Sequence, residues 1–140
     1  EVTSVNTEPL LDCMSRGLTP IISPTAMGED GKIYNCNADV AAAHVAIALR
    51  ARRLVFMSDV PGLMEDPTNP DTVISHLQTS QVGELKGRGV IAEGMIPKVD
   101  SAVTAIKTGV DKVSFVDGRI THAVLLEIFT DKGVGTEIVL

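Results

Sequence analysis

Three observations predict an α/β fold, a three-layer αβα sandwich around a mainly parallel sheet. Apolar runs of strand length alternate with longer runs of helical period, and Gly and Pro punctuate the joints between them. The core must also be aliphatic, because 44% of the 140 residues are hydrophobic while Phe numbers three, Tyr one and Trp none. Strands of that composition bury both faces between helices. At this length folding removes roughly two-thirds of the unfolded chain's surface from water, enough for one real core.

Taken in order, Asn6 is placed to cap a first helix, with Pro9 early in it, Leu10, Leu11 and Met14 as an apolar stripe and Gly17 beyond its end. Thr19–Ser23 reads as a short strand stopped by Pro24. Ala26–Lys32, which carries Gly28, Glu29, Asp30 and Gly31, reads as an exposed hairpin or loop tip. The stretch Tyr34-Asn35-Cys36-Asn37-Ala38-Asp39 then sets two carboxamides and a carboxylate at alternate positions before Val40–Leu49, a helix too apolar to face water. Arg50, Arg52 and Arg53 follow it, where positive charge suits a helix C-terminus.

Leu54–Met57 is a continuous apolar run, expected to be a strand buried on both faces, and Ser58–Gly62 a Pro-Gly turn. Pro67 and Pro70 mark a surface excursion. Thr72–Leu77 is expected to be a short strand, and Thr79 or Ser80 the cap of a helix reaching Lys86. Gly87, Gly89 and Gly94 then leave the backbone free to approach a ligand. A helix over Met95–Lys107 follows, with Val99, Ala102, Val103 and Ile106 on one face and Pro97 in its first turn. Lys112–Val116 is a further strand and Ile120–Phe129 a helix with Val124, Leu125 and Ile128 inward. Thr136–Leu140 is the last strand.

Charge and composition remove several classes of function. The net charge of −6 and the lack of a Lys/Arg block argue against a nucleic-acid surface or an anionic membrane as partner. Two cysteines, Cys13 and Cys36, provide neither a disulfide framework nor zinc-ligand spacing. No apolar run approaches the ~20 residues of a membrane span, and the first residues lack signal-peptide character, so a cytosolic location is expected. The opening at Glu1, without Met, suggests a fragment.

In a parallel α/β sheet, ligands bind beyond the carboxyl ends of the strands. That rule selects Ser58–Gly62 and Asp117-Gly118-Arg119, and Asn35–Asp39 if the residues around Tyr34 are extended. Lys98, in the first turn of a helix that follows a Gly-rich loop, joins an ammonium group to unpaired backbone N–H groups, a combination suited to phosphate. Simpler readings compete: Asn37 or Asp39 as helix caps, Asp59 as a turn former, Lys98 as a solvated side chain, His44 as a core residue. Residue chemistry alone supports an α/β domain that binds an anion.

Four blocks narrow this. Tyr34–Asp39, Ser58–Leu63, Gly94–Lys98, and Asp117-Gly118-Arg119 continuing through Leu125–Thr130 to Gly133–Thr136 together resemble the acetylglutamate kinases of the amino-acid kinase family, over essentially the whole chain. The resemblance implies residues 1–34 as a remnant of an N-terminal substrate domain and 35–140 as a nucleotide-binding domain with a C-terminal regulatory helix and strand. It implies transfer of the ATP γ-phosphoryl group to the side-chain carboxylate of N-acetyl-L-glutamate, with Mg2+ carried by the phosphates.

By position, Asn35 and Asn37 resemble the carboxamides that hold the acetylglutamate. Asp39 resembles the acid that orients two lysines, and Lys98 the second of those lysines. The first belongs to the family's N-terminal half, so the 140 residues alone are expected to be inactive. Ser58, Asp59, Val60, Pro61, Gly62, Leu63 and Met64 would line the nucleotide, with Val90, Ile91 and Ala92 opposite. Glu127 and Gly133 match an arginine effector site. The full-length chain is expected to form a homo-oligomer, dimer or hexamer. Ser114 stands where many relatives have His, Glu93 replaces a usual Gly, and Cys36 and Glu137 replace apolar residues. The alternatives are a non-catalytic, arginine-binding kinase-like domain of an acetylglutamate synthase, or another member of the kinase family.

Overall fold

The structure, a computed structural model, describes residues 2–91, 94–131 and 133–140. Helix α1 (Glu8–Ser15) is followed by a hairpin of β1 (Thr25–Met27) and β2 (Ile33–Asn35), and then by α2 (Ala38–Ala48) and β3 (Arg53–Ser58). A 3-10 turn over Pro70–Thr72 precedes β4 (His76–Gln78). A second, Thr79–Gln81, leads into α3 (Val82–Gly87), and α4 (Ile96–Lys107), β5 (Lys112–Asp117), α5 (Ala123–Phe129) and β6 (Thr136–Val139) complete the chain.

The main sheet has the order β3-β5-β6-β4. β3 with β5 and β4 with β6 are parallel, and only β5 with β6 is antiparallel, so the sheet is mixed and mostly parallel. Because successive side chains alternate between faces, Leu54, Phe56, Val113, Phe115 and Ile138 point to the face covered by α2 and α4, where they form one core with Ala43, Ala46, Val99, Ala102 and Ile106. Phe56 and Phe115, opposite one another in the β3/β5 register, stack at 5.4 Å, an arrangement that contributes about 0.5–1.5 kcal/mol beyond its buried area. Helix α5 covers the other face, where Arg53 of β3 donates to its Glu127 carbonyl at 2.8 Å. Three layers result. No described helix is long and apolar enough to cross a membrane.

Several local expectations are corrected. The first helix starts after Thr7, although Asn6 still accepts the Glu8 N–H at 3.1 Å, and none of its residues is buried. Residues 19–23 are not a strand: among the described residues no strand pairs with them, and Ile21 is 97% exposed. β3 lies at the sheet edge, so only Phe56 within it is buried, and β5 is the strand covered on both faces. The strand expected over 72–77 is displaced to His76–Gln78, because Asn69 caps the 3-10 turn that takes Pro70–Thr72. Helix α5 turns Ala123 and Glu127 inward, with Leu125 and Ile128 exposed.

Candidate active site

Both α2 and α4 lead through four-residue connections, 49–52 and 108–111, into parallel neighbours β3 and β5. Each helix runs back along its strand, so both helix N-termini lie at the carboxyl ends of the sheet. That geometry gathers Asn35–Asp39, Lys98, Ser58–Gly62 and Asp117–Arg119 at one end of the molecule.

Asn37 is the N-cap of α2, and its Oδ1 accepts the Val40 N–H at 3.1 Å. The cap engages only the carbonyl oxygen; the carboxamide NH2 is a separate donor. Asn35, Cys36 and Asn37 line a cleft of about 560 Å3 together with Tyr34 and Val40. Asp39, in the first turn, does not cap. Its carboxylate accepts from the Lys98 ammonium at 2.8 and 3.0 Å, across 59 residues of sequence. Both side chains keep about a fifth to a quarter of their surface in solvent, so the pair is fixed by packing of α2 on α4 yet open to a ligand. Met95, the N-cap of α4, supplies no side-chain acceptor, and the Val99 N–H is taken by the Met95 carbonyl at 2.9 Å, so among the described residues no side chain caps the helix start beside Lys98.

The Ser58–Met64 segment is braced from beneath. A Cβ on Gly62 would stand 2.6 Å from Thr136 Oγ1 and 3.1 Å from the Thr136 backbone N, so only Gly lets the loop lie this close to β6. Thr136 Oγ1 accepts the Leu63 N–H at 2.8 Å, and the Leu63 carbonyl accepts from Ile74 N–H at 2.8 Å. With its side chain in the core and both backbone groups engaged, Leu63 supports the loop; Ser58, Asp59, Val60 and Pro61 are accessible above it. Ile91 is likewise buried and Val90 half-buried. Ala92 and Glu93 lie outside the described residues.

A second pocket of about 530 Å3 opens at the opposite, amino ends of β3 and β5. It contains Glu127 and Gly133, and the structure explains their association: Glu127 is buried, accepts the Val134 N–H at 2.9 Å, and sits where a Cβ on Gly133 (φ 64°) would come within 2.6 Å of its Oε2. Sequence reasoning missed the cations around them. Lys112 donates to Glu137 Oε1 at 2.5 Å, Arg53 lies 3.8 Å from the same oxygen and His76 3.5 Å from the other. Burial works against the Glu137 carboxylate, but Lys112 first and then Arg53 and His76 hold it below the usual glutamate range. The available signal was parity: Arg53, Lys112 and Glu137 all point to the α5 face. Arg53 belongs to the strand rather than to the end of α2. Ser114, across from Glu137 in the β5/β6 register, is fully buried, and its hydroxyl finds no partner among the described residues.

Among the described residues no group of three or more His, Cys, Asp or Glu side chains comes together to hold a metal ion. The donor set at the carboxyl ends, with two carboxamides, one ammonium and helix amides, suits anions.

A family model described as the amino acid kinase family matches residues 1–117. The chain belongs to the amino acid kinase family. It is 48% identical over 139 residues to an acetylglutamate kinase of Clostridium beijerinckii and 47% identical over 138 residues to one of Methanothrix thermoacetophila, each alignment covering 99% of this chain but 49% and 48% of the relative. The chain thus spans about half the length of those kinases. Among solved structures, an N-acetylglutamate synthase from Neisseria gonorrhoeae, complexed with coenzyme A and L-arginine, superposes with a TM-score of 0.87 at 27% identity, over 99% of this chain and 32% of that one. Isopentenyl phosphate kinase of T. acidophilum shares the fold at a TM-score of 0.66 and 21% identity, over 95% of this chain and 53% of that one.

Proposed function

We propose that the intact protein transfers the γ-phosphoryl group of ATP to the side-chain carboxylate of N-acetyl-L-glutamate. The acceptor oxygen forms a bond to the γ-phosphorus, the bond from that phosphorus to the β-bridging oxygen breaks, and ADP leaves with its electron pair. The acceptor is already an anion at neutral pH, so no general base is required. What the reaction needs is positioning and neutralisation of charge. The Asp39–Lys98 pair carries this reading, because a carboxylate that holds an ammonium by two hydrogen bonds beside two carboxamides is suited to steadying a migrating phosphoryl group.

In this reading Asn35 and Asn37 donate to the anionic groups of the acetylglutamate without adding negative charge. Lys98 neutralises the phosphoryl group and Asp39 positions Lys98. Ser58–Met64 and Val90–Ala92 take the nucleotide, with Leu63 acting as the shelf beneath it. Magnesium arrives on the ATP phosphates, where it neutralises charge. The test is acyl phosphate formation by the intact protein, trapped with hydroxylamine, from Mg-ATP and a panel of acceptors: N-acetyl-L-glutamate, aspartate, carbamate and isopentenyl phosphate, the last followed by ADP release. Preference for any acceptor other than N-acetyl-L-glutamate overturns the assignment.

One observation favours a regulatory role for the second pocket. Glu127, Asp131 and Glu137 line it together with Arg53 and Lys112, a two-signed lining that fits an amino acid with a basic side chain, and the synthase of matching fold was solved with L-arginine. We assign this pocket to L-arginine as effector. The same likeness supports the alternative of a non-catalytic synthase domain; the intact Asp39–Lys98 pair and the 48% identity to a kinase weigh against it.

A further inference from the structure

The Asp117-Gly118-Arg119 turn closes β5 at the end of the sheet where the nucleotide residues gather, and the reading above gives it no task. Asp117 is the register partner of Ser58, and the Gly118 N–H donates to the Ser58 carbonyl at 2.8 Å. The turn is therefore tied edge to edge to the Ser58–Gly62 loop. The Asp117 side chain is only 8% exposed, yet its carboxylate grips an arginine whose own side chain is 67% exposed. It accepts from Arg119 Nε at 2.9 Å and from Nη2 at 2.8 Å, as well as from the Arg119 backbone N–H at 2.9 Å. Two parallel bonds to a planar fork fix where the cation points. The third guanidinium nitrogen, Nη1, makes no hydrogen bond among the described residues.

Closing the turn does not require the guanidinium. The backbone N–H groups of Gly118, Arg119 and Ile120 already close it, onto the Ser58 carbonyl, the Asp117 carboxylate and the Asp117 carbonyl. Ordering a long exposed side chain costs rotamer entropy; the two Asp117 bonds offset that cost and leave Nη1 held in place to meet a further partner. Charge indicates which kind. Asp59 and Asp117 would otherwise present two carboxylates to a polyanion at this end of the sheet. Arg119 lies close enough to Asp59 that its basicity is raised by Asp117 foremost and by Asp59 in addition. This cation is separate from Lys98, which stands on α4 and is paired with Asp39.

Resting on the nucleotide reading of Ser58–Met64, we propose that Arg119 binds polyphosphate: Asp117 holds its guanidinium at the carboxyl ends of β3 and β5, where Nη1 meets a phosphate of bound ATP. A charge-assisted hydrogen bond of this kind corresponds to about ten- to hundredfold in affinity.

The test is calorimetric titration of the intact protein with ATP and with adenosine, for the unsubstituted chain and for R119A, R119K and D117N. R119A is expected to weaken ATP binding by about ten- to hundredfold and to leave adenosine binding unchanged. R119K should recover part of the loss, because a point charge lacks the fork. D117N keeps the guanidinium but loosens its hold, so it should shift the ATP-to-adenosine ratio in the same direction by less. A role confined to the turn would weaken both ligands alike. An unchanged ratio in R119A and D117N overturns the proposal and leaves the nucleotide site standing, whereas an unsubstituted protein that binds neither ligand overturns the nucleotide reading together with it.

Discussion

Replacing Lys98 by Ala removes the cation that Asp39 of α2 holds on α4. Two unit charges about 4 Å apart interact by about 4 kcal/mol at the effective dielectric near a protein surface. The Lys98 and Asp39 side chains remain 24% and 21% exposed, so solvent takes part of that, and about 2–3 kcal/mol of transition-state stabilisation is a reasonable share for Lys98 on the phosphoryl group. At about 1.4 kcal/mol per decade, turnover falls by on the order of 10²-fold. Folding should suffer far less, by about 1 kcal/mol, because a partly exposed ion pair contributes little to stability and Asp39 can be hydrated once released. The assay is initial-rate hydroxamate formation at saturating Mg-ATP and N-acetyl-L-glutamate, with thermal denaturation of the same preparation as control. Turnover within a few-fold of the unsubstituted protein, in a folded variant, would refute the assigned role; a collapse in stability matching the rate loss would make the pair structural.

Other outcomes follow from the same geometry. Gly62→Ala forces a Cβ against Thr136 and should destabilise the fold by about 1–3 kcal/mol, read by urea denaturation; an unchanged midpoint contradicts the close approach. Arg119, chiefly by hydrogen bonding, lowers the Asp117 carboxyl from its ordinary 3.8 to about 2. A depressed carboxyl stabilises the folded state above its ordinary value and loses that contribution as pH falls, so stability should decline between about pH 4 and pH 2, and Asp117→Asn should flatten that part of the curve. Glu127→Gln should weaken L-arginine binding to the intact protein about tenfold or more, the scale of one charge-assisted bond, without changing the turnover measured with arginine absent; undiminished arginine affinity removes the effector assignment.

What could be read from the chain was mostly local. Helix α4 and strand β5 were legible because Pro97, the Val99/Ala102/Ile106 face and the run from Lys112 are local signals that the tertiary structure does not override. The loop tip between β1 and β2 announced itself through Gly28 and Gly31. Elements whose state depends on a distant partner were not legible. Glu127 turns inward on α5, where its carboxylate accepts the Val134 N–H and its backbone carbonyl accepts from Arg53, 74 residues away; periodicity alone pointed Leu125 and Ile128 inward. Residues 19–23 have strand-like sequence but no neighbouring strand among the described residues. At the site, residue type left capping and chemistry competing at Asn37 and Asp39, and the structure divides the tasks. Asn37 caps, and Asp39 holds Lys98. That pairing spans 59 residues and was implied only by the family resemblance.

The most direct measurement is a crystal structure of the intact protein with magnesium, a non-hydrolysable ATP analogue and N-acetyl-L-glutamate. The proposed mechanism predicts the Lys98 ammonium within hydrogen-bond reach of a γ-phosphate oxygen, about 2.7–3.2 Å, still held by Asp39, with the Asn35 and Asn37 carboxamides donating to the acetylglutamate. Nucleotide bound away from Ser58–Met64, or a γ-phosphate turned from Lys98 while the acceptor lies elsewhere than the Asn35–Asn37 cleft, would contradict it.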